Sequence, residues 1–392
     1  MKKILIFSLA YYPRFVSGAE AAIKEITDRT DPQDIEFHMV TLRFDPTDPR
    51  AEIIGNVHVH RVGIGPSYLS KILFIPLAVT KGIMLCRKEK ISGLWAMLTY
   101  MALPIALMRL FGVRIPYVIT LQDGDPYEKV FGRKFIKPLL PLLDYGFRHA
   151  TVVQAISTFL ATWPKRRGFT VPVEIVYNGA NPKDIADKTP QADIDAMKQK
   201  LGKKEDEVYL VNTARLEHQK AQDDVIRALP LLPKNVKFLI VGGGTDETML
   251  KDLVKELHLG SRVIFTGQVD RTEVTLYRKV SDIFVAPSRS EGLGNAFLSA
   301  MASRLPVVAT QEGGLAEFIF DEKHNPGIPP TAWVVDADNS AQIAEAVKDI
   351  MNSKAKVREI TERAREMVLQ KYNWDAIAKD MQVKIFSKVL KD

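Results

Sequence analysis

The chain has a single cysteine, Cys86, in 392 residues. That excludes an internal disulfide, leaves no zinc site built on several thiolates, and suits a reducing, cytoplasmic compartment. Heptads, low-complexity tracts and short repeats are also missing, so no coiled coil, disordered tail or solenoid is expected. Long uninterrupted apolar runs are scarce. Residues 68–86 are apolar but broken by Lys71, Pro76, Lys81 and Gly82, which makes the run too short to span a bilayer. Residues 91–108 are eighteen without charge, a borderline length, interrupted by Gly93, Thr99 and Pro104. The opening MKKILIFSLAYYPR imitates a secretory leader. Pro13-Arg14 cut its short apolar core, however, and 4–10 is predicted to be a first buried strand.

What is present is the composition of a soluble globular protein, 46% hydrophobic and 26% charged, at a length that suits two domains. The net charge of +7 is unevenly placed: residues 1–170 hold 23 basic and 14 acidic residues, the remainder 31 and 33. A basic face attracts nucleic acid, anionic lipid or an anionic substrate. No nucleic-acid motif accompanies it, so an anionic membrane surface or the acceptor of a reaction is the expected partner. The excess peaks over 61–170, with 16 basic and 5 acidic residues. Within it, 129–148 mixes Arg133, Lys134, Lys137 and Arg148 with Phe131, Phe135, Ile136 and a leucine cluster. This segment reads either as a membrane-facing surface or as the solvated basic face of a packed helix. Residues 68–86 likewise read as an interfacial helix with lysines at its margin or as a buried helix whose lysines reach solvent.

The stretch around which the rest is organised is 281–314, SDIFVAPSRSEGLGNAFLSAMASRLPVVATQEGG. Ile283–Ala286 is a short apolar run ended by Pro287, hence a buried strand. A polar loop with two glycines follows, then good helix formers over 295–303 carrying Asn295, Ser299 and Ser303 four apart on one face. A second buried strand over 305–310 closes on Gly313-Gly314. Such a βαβ unit binds ligands where strand ends meet a helix N-terminus. Glu291, Gly292, Leu293, Gly294 and Asn295 sit there: backbone N–H groups suit an anion, and the carboxylate suits hydroxyls. A sugar joined to a diphosphate offers both.

This stretch resembles the retaining glycosyltransferases of family 4, with Glu291-Gly292 and LPVVAT at 305–310 matching the family signature. The signature's second glutamate is replaced by Ser299. Further matches are Ser17-Gly18-Ala19-Glu20 after the first strand, Asn178-Gly179-Ala180-Asn181 at the end of the first domain, and Arg215 with Lys220 five residues on. The resemblance implies an α/β protein of GT-B fold: two Rossmann-like domains facing across a cleft, residues 1–185 with 372–392 and residues 186–371. The terminal helix would cross back to the first domain, and 91–108 would form a strand and a core helix.

The resemblance further implies that a nucleoside-diphosphate sugar is the donor, and that a glycan or lipid-linked molecule, of the kind used in envelope polysaccharide or glycolipid synthesis, is the acceptor. Arg215 and Lys220 would stabilise the departing diphosphate, and Glu291 would orient sugar hydroxyls. Gly18, Val269 and the backbone of 292–295 would contact the donor. Ser299 would face the ribose through a water, and Gln122 stands where relatives often carry a histidine near the reacting carbon. Asp123 and Asp125 imitate a metal-binding DxD, but two carboxylates two apart are common turn residues, and neither metal nor cofactor is implied. The enzyme would be cytoplasmic or peripheral on the inner face of the plasma membrane. A sugar-nucleotide epimerase and a non-catalytic binding subunit are the rival readings, the second motivated by Ser299 and Gln122.

Overall fold

The computed structural model describes residues 1–14 and 16–390, with Arg271 and Thr272 described as backbone only. It contains two compact units, Met1–Asn178 with the C-terminal segment from Trp374, and Gly179–Asn373.

The first unit is built on eight strands: β1 (Lys2–Phe7), β2 (Ile35–Leu42), β3 (Ala51–Ile54), β4 (Val57–Val62), β5 (Gly93–Met97), β6 (Tyr117–Leu121), β7 (Val152–Ala155) and β8 (Val173–Ile175). Their order is β3-β4-β2-β1-β5-β6-β7-β8, parallel throughout except for β3 against β4. Helices cover both faces, so the inner strands read as continuous apolar runs rather than alternating ones; Ile4, Leu5, Ile6 and Phe7 are all fully buried. One face packs against α1 (Gly18–Thr27) and the returning C-terminal segment, where Trp374, Ile377, Met381, Ile385, Phe386 and Val389 join Phe37, Met39 and Trp95 in one core.

The Asp- and Pro-rich region between β2 and β4 is not all loop, because Ala51–Ile54 pairs antiparallel with β4 across the two-residue turn Gly55-Asn56. As an edge strand of four residues with Ile53 exposed, it has no buried face to show in its pattern. Only the Gly-Asn pair marked it. Residues 68–86 form a helix, as both sequence readings had it, but the lysines and the proline do not cut it short: it lies within α2 (Tyr68–Glu89), a single 22-residue helix capped by Ser67 and continuous through Pro76. By length and composition it could cross a membrane. Its inner face, Phe74, Ala78, Val79, Gly82 and Leu85, packs on β1, β2, β4 and α3 (Ala102–Leu110). Residues 91–108 form β5 and most of α3, as the family resemblance implies.

Close to α2 lies a histidine cluster. The His38 ring stacks on His58 and His60 with centroids 5.0 and 5.6 Å away, and its Nε2 lies 2.6 Å from Glu36. Lys3 bridges Glu36 and Glu89, at 2.8 and 3.5 Å. Burial, then the nearby Lys81 charge and the other imidazoles, pushes His60 down to about 4, and burial lowers His38 too. Unfolding frees these rings to take protons near pH 6.5. The unfolded state then binds more protons at mildly acid pH, so stability falls as pH drops from about 6.5 towards 4. Urea midpoints are therefore expected to be lower at pH 5 than at pH 7, and His60→Gln should flatten that dependence. Equal slopes for variant and wild type would refute it.

The second unit has six parallel strands: β9 (Val208–Thr213), β10 (Val236–Val241), β11 (Val263–Phe265), β12 (Ile283–Ala286), β13 (Val307–Ala309) and β14 (Trp333–Val334). The order β11-β10-β9-β12-β13-β14 reverses direction between β9 and β12. Residues 182–190 are mostly polar, yet they open with the helix Pro182–Ala186, capped by the Asn181 side chain. Its apolar content is too small to show periodicity. What holds it is a buried carboxylate: Asp184 pairs with Arg278 and accepts from Ser303 Oγ at 2.8 Å, with Asp184 and Arg278 0% and 3% exposed.

Candidate functional site

In a doubly wound sheet, ligands bind beyond the strand ends where the strand order reverses. In the second unit that point lies between β9 and β12. The loop after β9 carries Arg215 and Lys220, and the loop after β12 carries Glu291. The structure brings two of these together. Lys220 Nζ lies 2.5 Å from Glu291 Oε1, both side chains being about seven-eighths buried, at 13% and 12% exposed. Ser288, buried three residues before Glu291, donates to the same carboxylate oxygen at 3.2 Å. Arg215 is 63% exposed and held by Glu217 at 2.6 Å. Glu217 also accepts from Gln219. Thus one cation is fixed and the other swings from an exposed tether.

Glycines set these loops by close backbone approach. A Cβ on Gly244 would lie 2.2 Å from Leu216 O, so the turn after β10 packs main chain to main chain against the Arg215 loop. A Cβ on Gly314 would lie 2.2 Å from Gly292 O, and Gly314 N–H donates to Glu291 O at 3.0 Å. The closing Gly313-Gly314 pair therefore holds the Glu291 loop in shape. Gly294 caps the following helix, Asn295–Ala302. Phe297 N–H already donates to Gly294 O at 3.0 Å, which leaves the Asn295 and Ala296 N–H groups without intrahelical acceptors at the positive end of the helix dipole. The Leu293 side chain is buried, so only its backbone can meet a ligand. Val269 lies two residues after Gly267, which bridges to Gly242 at the ends of β11 and β10.

Ser299 departs from its expected place. It is 5% exposed, its hydroxyl donates to Asn295 O at 2.8 Å, and it accepts from the Asn181 N–H at 3.0 Å. With Ser303 on Asp184, this helix face grips residues 181–184 rather than opening to a ligand. The shared spacing of Asn295, Ser299 and Ser303 gave the polar face but not its partner.

Gly18 and Gln122 belong to the first unit. Gly18 begins α1 just after Ser17, whose N–H and hydroxyl both donate to Glu20. Gln122 follows β6 and is fixed: Asn178 Nδ2 donates to its carbonyl oxygen at 2.9 Å, and its own amide faces Met97 Sδ at 3.4 Å. Asn178 is the residue that sequence reasoning quoted for its turn without giving it this task. Asp125 is paired with Lys129 and Arg133, at 2.8 and 2.5 Å, and Asp123 accepts from Thr99 at 2.7 Å. Burial raises the Asp123 pKa against that hydrogen bond.

Comparison with known proteins gives two family matches, Glycosyltransferase Family 4 over residues 16–184 and Glycosyl transferases group 1 over residues 193–367. An uncharacterized glycosyltransferase of Methanocaldococcus jannaschii is 27% identical over 96% of both chains. A GDP-mannose-dependent alpha-(1-6)-phosphatidylinositol monomannoside mannosyltransferase of Mycobacterium tuberculosis is 31% identical over 43% of this chain and 45% of its own. Among solved structures, sucrose-phosphate synthase from Thermosynechococcus elongatus superposes with a TM-score of 0.85 at 20% identity, covering 99% of each chain.

Proposed function

We propose that this chain, which belongs to glycosyltransferase family 4 and has the GT-B fold, transfers a hexose from a nucleoside-diphosphate sugar to a glycan or lipid-linked acceptor with retention of configuration. The observation that carries the reading is the Lys220–Glu291 contact at the reversal point of the second sheet, with Arg215 on the same loop. Charge builds on the diphosphate as the sugar leaves. Lys220, Arg215 and the N-terminus of Asn295–Ala302 are the groups that answer it. Glu291 accepts from sugar hydroxyls, steadied by Ser288. The leaving phosphate oxygen takes the acceptor's proton as the new glycosidic bond forms on the same face, so no covalent enzyme intermediate is needed. In this reading side-chain cations do the work of a metal, and no cofactor takes part.

The mycobacterial relative's name, with GDP-mannose and a phosphatidylinositol monomannoside in it, supports both substrate classes. The single cysteine, Cys86, fits action on the cytoplasmic side. Purified protein incubated with a panel of nucleoside-diphosphate hexoses and lipid extract should release free nucleoside diphosphate and yield an acceptor heavier by one hexose. Donor binding with neither hydrolysis nor transfer would favour the non-catalytic subunit instead. An interconverted donor sugar would favour the epimerase.

A further inference from the structure

The outer face of α2 presents Tyr68, Leu69, Ile72, Leu73, Leu77 and Met84, each between 40% and 63% exposed. Single exposed leucines are ordinary, but six along one helix form a contiguous patch of the kind that marks an interaction surface. The patch does not stop at the helix. The Tyr68 ring packs edge-on against Phe135 at 5.5 Å, and Phe135, between the exposed Lys134 and Lys137, and Leu139 are each 37% exposed. The remaining apolar residues of 129–148 are differently disposed. Phe131, Ile136, Leu143 and Phe147 are core, and the segment breaks into Tyr127–Gly132, a 3-10 turn and Leu140–Arg148. It is therefore not one amphipathic helix, and the surface expected there belongs mainly to α2.

We propose that this face of α2, extended by Phe135 and Leu139, lies flat on an anionic lipid bilayer. Its apolar side chains enter the acyl boundary, and the surrounding lysines and arginines meet the headgroups. The charge selects this occupant. Residues 62–122 hold seven lysines and arginines and one acidic residue, Glu89, which is already answered by Lys3 and Lys88. A second copy docking face to face would bring two basic rims together, whereas anionic headgroups neutralise one. The inner face of α2 is committed to the sheet, so the helix meets lipid along its side rather than by crossing. The patch also leads towards Gln122 within the first unit. Phe135 touches Tyr100 at 5.9 Å, and the neighbouring Thr99 holds Asp123, next to Gln122. A lipid-linked acceptor, if the reaction is as proposed above, is thus delivered along the surface that docks.

Docking is measured without any donor sugar, so its outcome is separate from that of the transfer assay. The four native tryptophans are at most 7% exposed, which makes a tryptophan placed on the face readable. Leu73→Trp emission should shift to the blue on adding phosphatidylglycerol-containing vesicles and be quenched by lipids brominated on their acyl chains. In co-sedimentation, wild type should bind these vesicles far better than pure phosphatidylcholine, and less as salt rises. Ile72→Gln/Leu73→Gln should weaken binding by about tenfold or more with unchanged circular dichroism. Salt-independent binding equal on both vesicle types would overturn the proposal. So would an unshifted Leu73→Trp emission in pelleted protein, or a dimer in solution that the glutamine pair dissolves.

Discussion

Arg215→Ala and Lys220→Ala should each lower kcat by about a hundredfold or more at saturating donor, the usual loss when one preorganised charge is taken from a developing anion, about 3 kcal/mol. The two variants differ in what else they disturb. Arg215 is 63% exposed and, among the described residues, paired with Glu217, so its removal should leave stability within about 0.5 kcal/mol of wild type. Lys220 is buried against Glu291, and its loss strands a carboxylate that retains only the Ser288 hydroxyl among the contacts described here. Some destabilisation, about 1–3 kcal/mol, should accompany the catalytic loss. Measuring kcat beside the urea midpoint separates the two effects. Near-normal turnover in the Arg215 variant would remove that residue from the diphosphate site, whatever its stability.

The second large effect is on folding. Arg278→Leu should destabilise the protein by about 3–5 kcal/mol, because it leaves the Asp184 carboxylate buried without its cation. Ser303 alone cannot compensate, since one neutral hydroxyl contributes less than a paired guanidinium. Arg278→Leu/Asp184→Leu should recover much of the loss, as replacing a whole buried pair by apolar groups is often neutral. Urea denaturation of the three proteins decides it. A single variant within about 1 kcal/mol of wild type would mean that the pair is far better hydrated than its burial indicates.

The parts of the molecule legible from sequence are those where composition and position act alone. Buried parallel strands announce themselves as apolar runs, and both sheets were traceable for that reason, down to the loops carrying Arg215, Lys220 and Glu291. The short elements were not. Ala51–Ile54 buries too little to leave a pattern, and Pro182–Ala186 is held by one carboxylate whose partner is 94 residues away in sequence. Ser299 shows the deeper limit. Its position on a polar helix face was readable, but whether that face meets solvent, ligand or chain depends on where Asn181 folds back. For α2 the sequence left two readings open, interfacial or buried. Lysines and a proline in an apolar run look like interruptions, while on a helix lying along a surface they mark which side faces out.

The C-terminal segment has a consequence for the order in which the protein is made. Phe386 packs on Trp95 and Phe37, with ring centroids 5.3 and 5.7 Å away, and Met381, Ile385 and Val389 are fully buried in the same core. A chain emerging from the ribosome has synthesised every strand of the first unit long before these residues exist. The second unit, Gly179–Asn373, is contiguous and complete while the first still lacks one wall. The first unit therefore completes its core after the second unit has been made, and until residues 374–390 are synthesised Phe37 and Trp95 stay uncovered, within reach of a chaperone or of a neighbouring nascent chain.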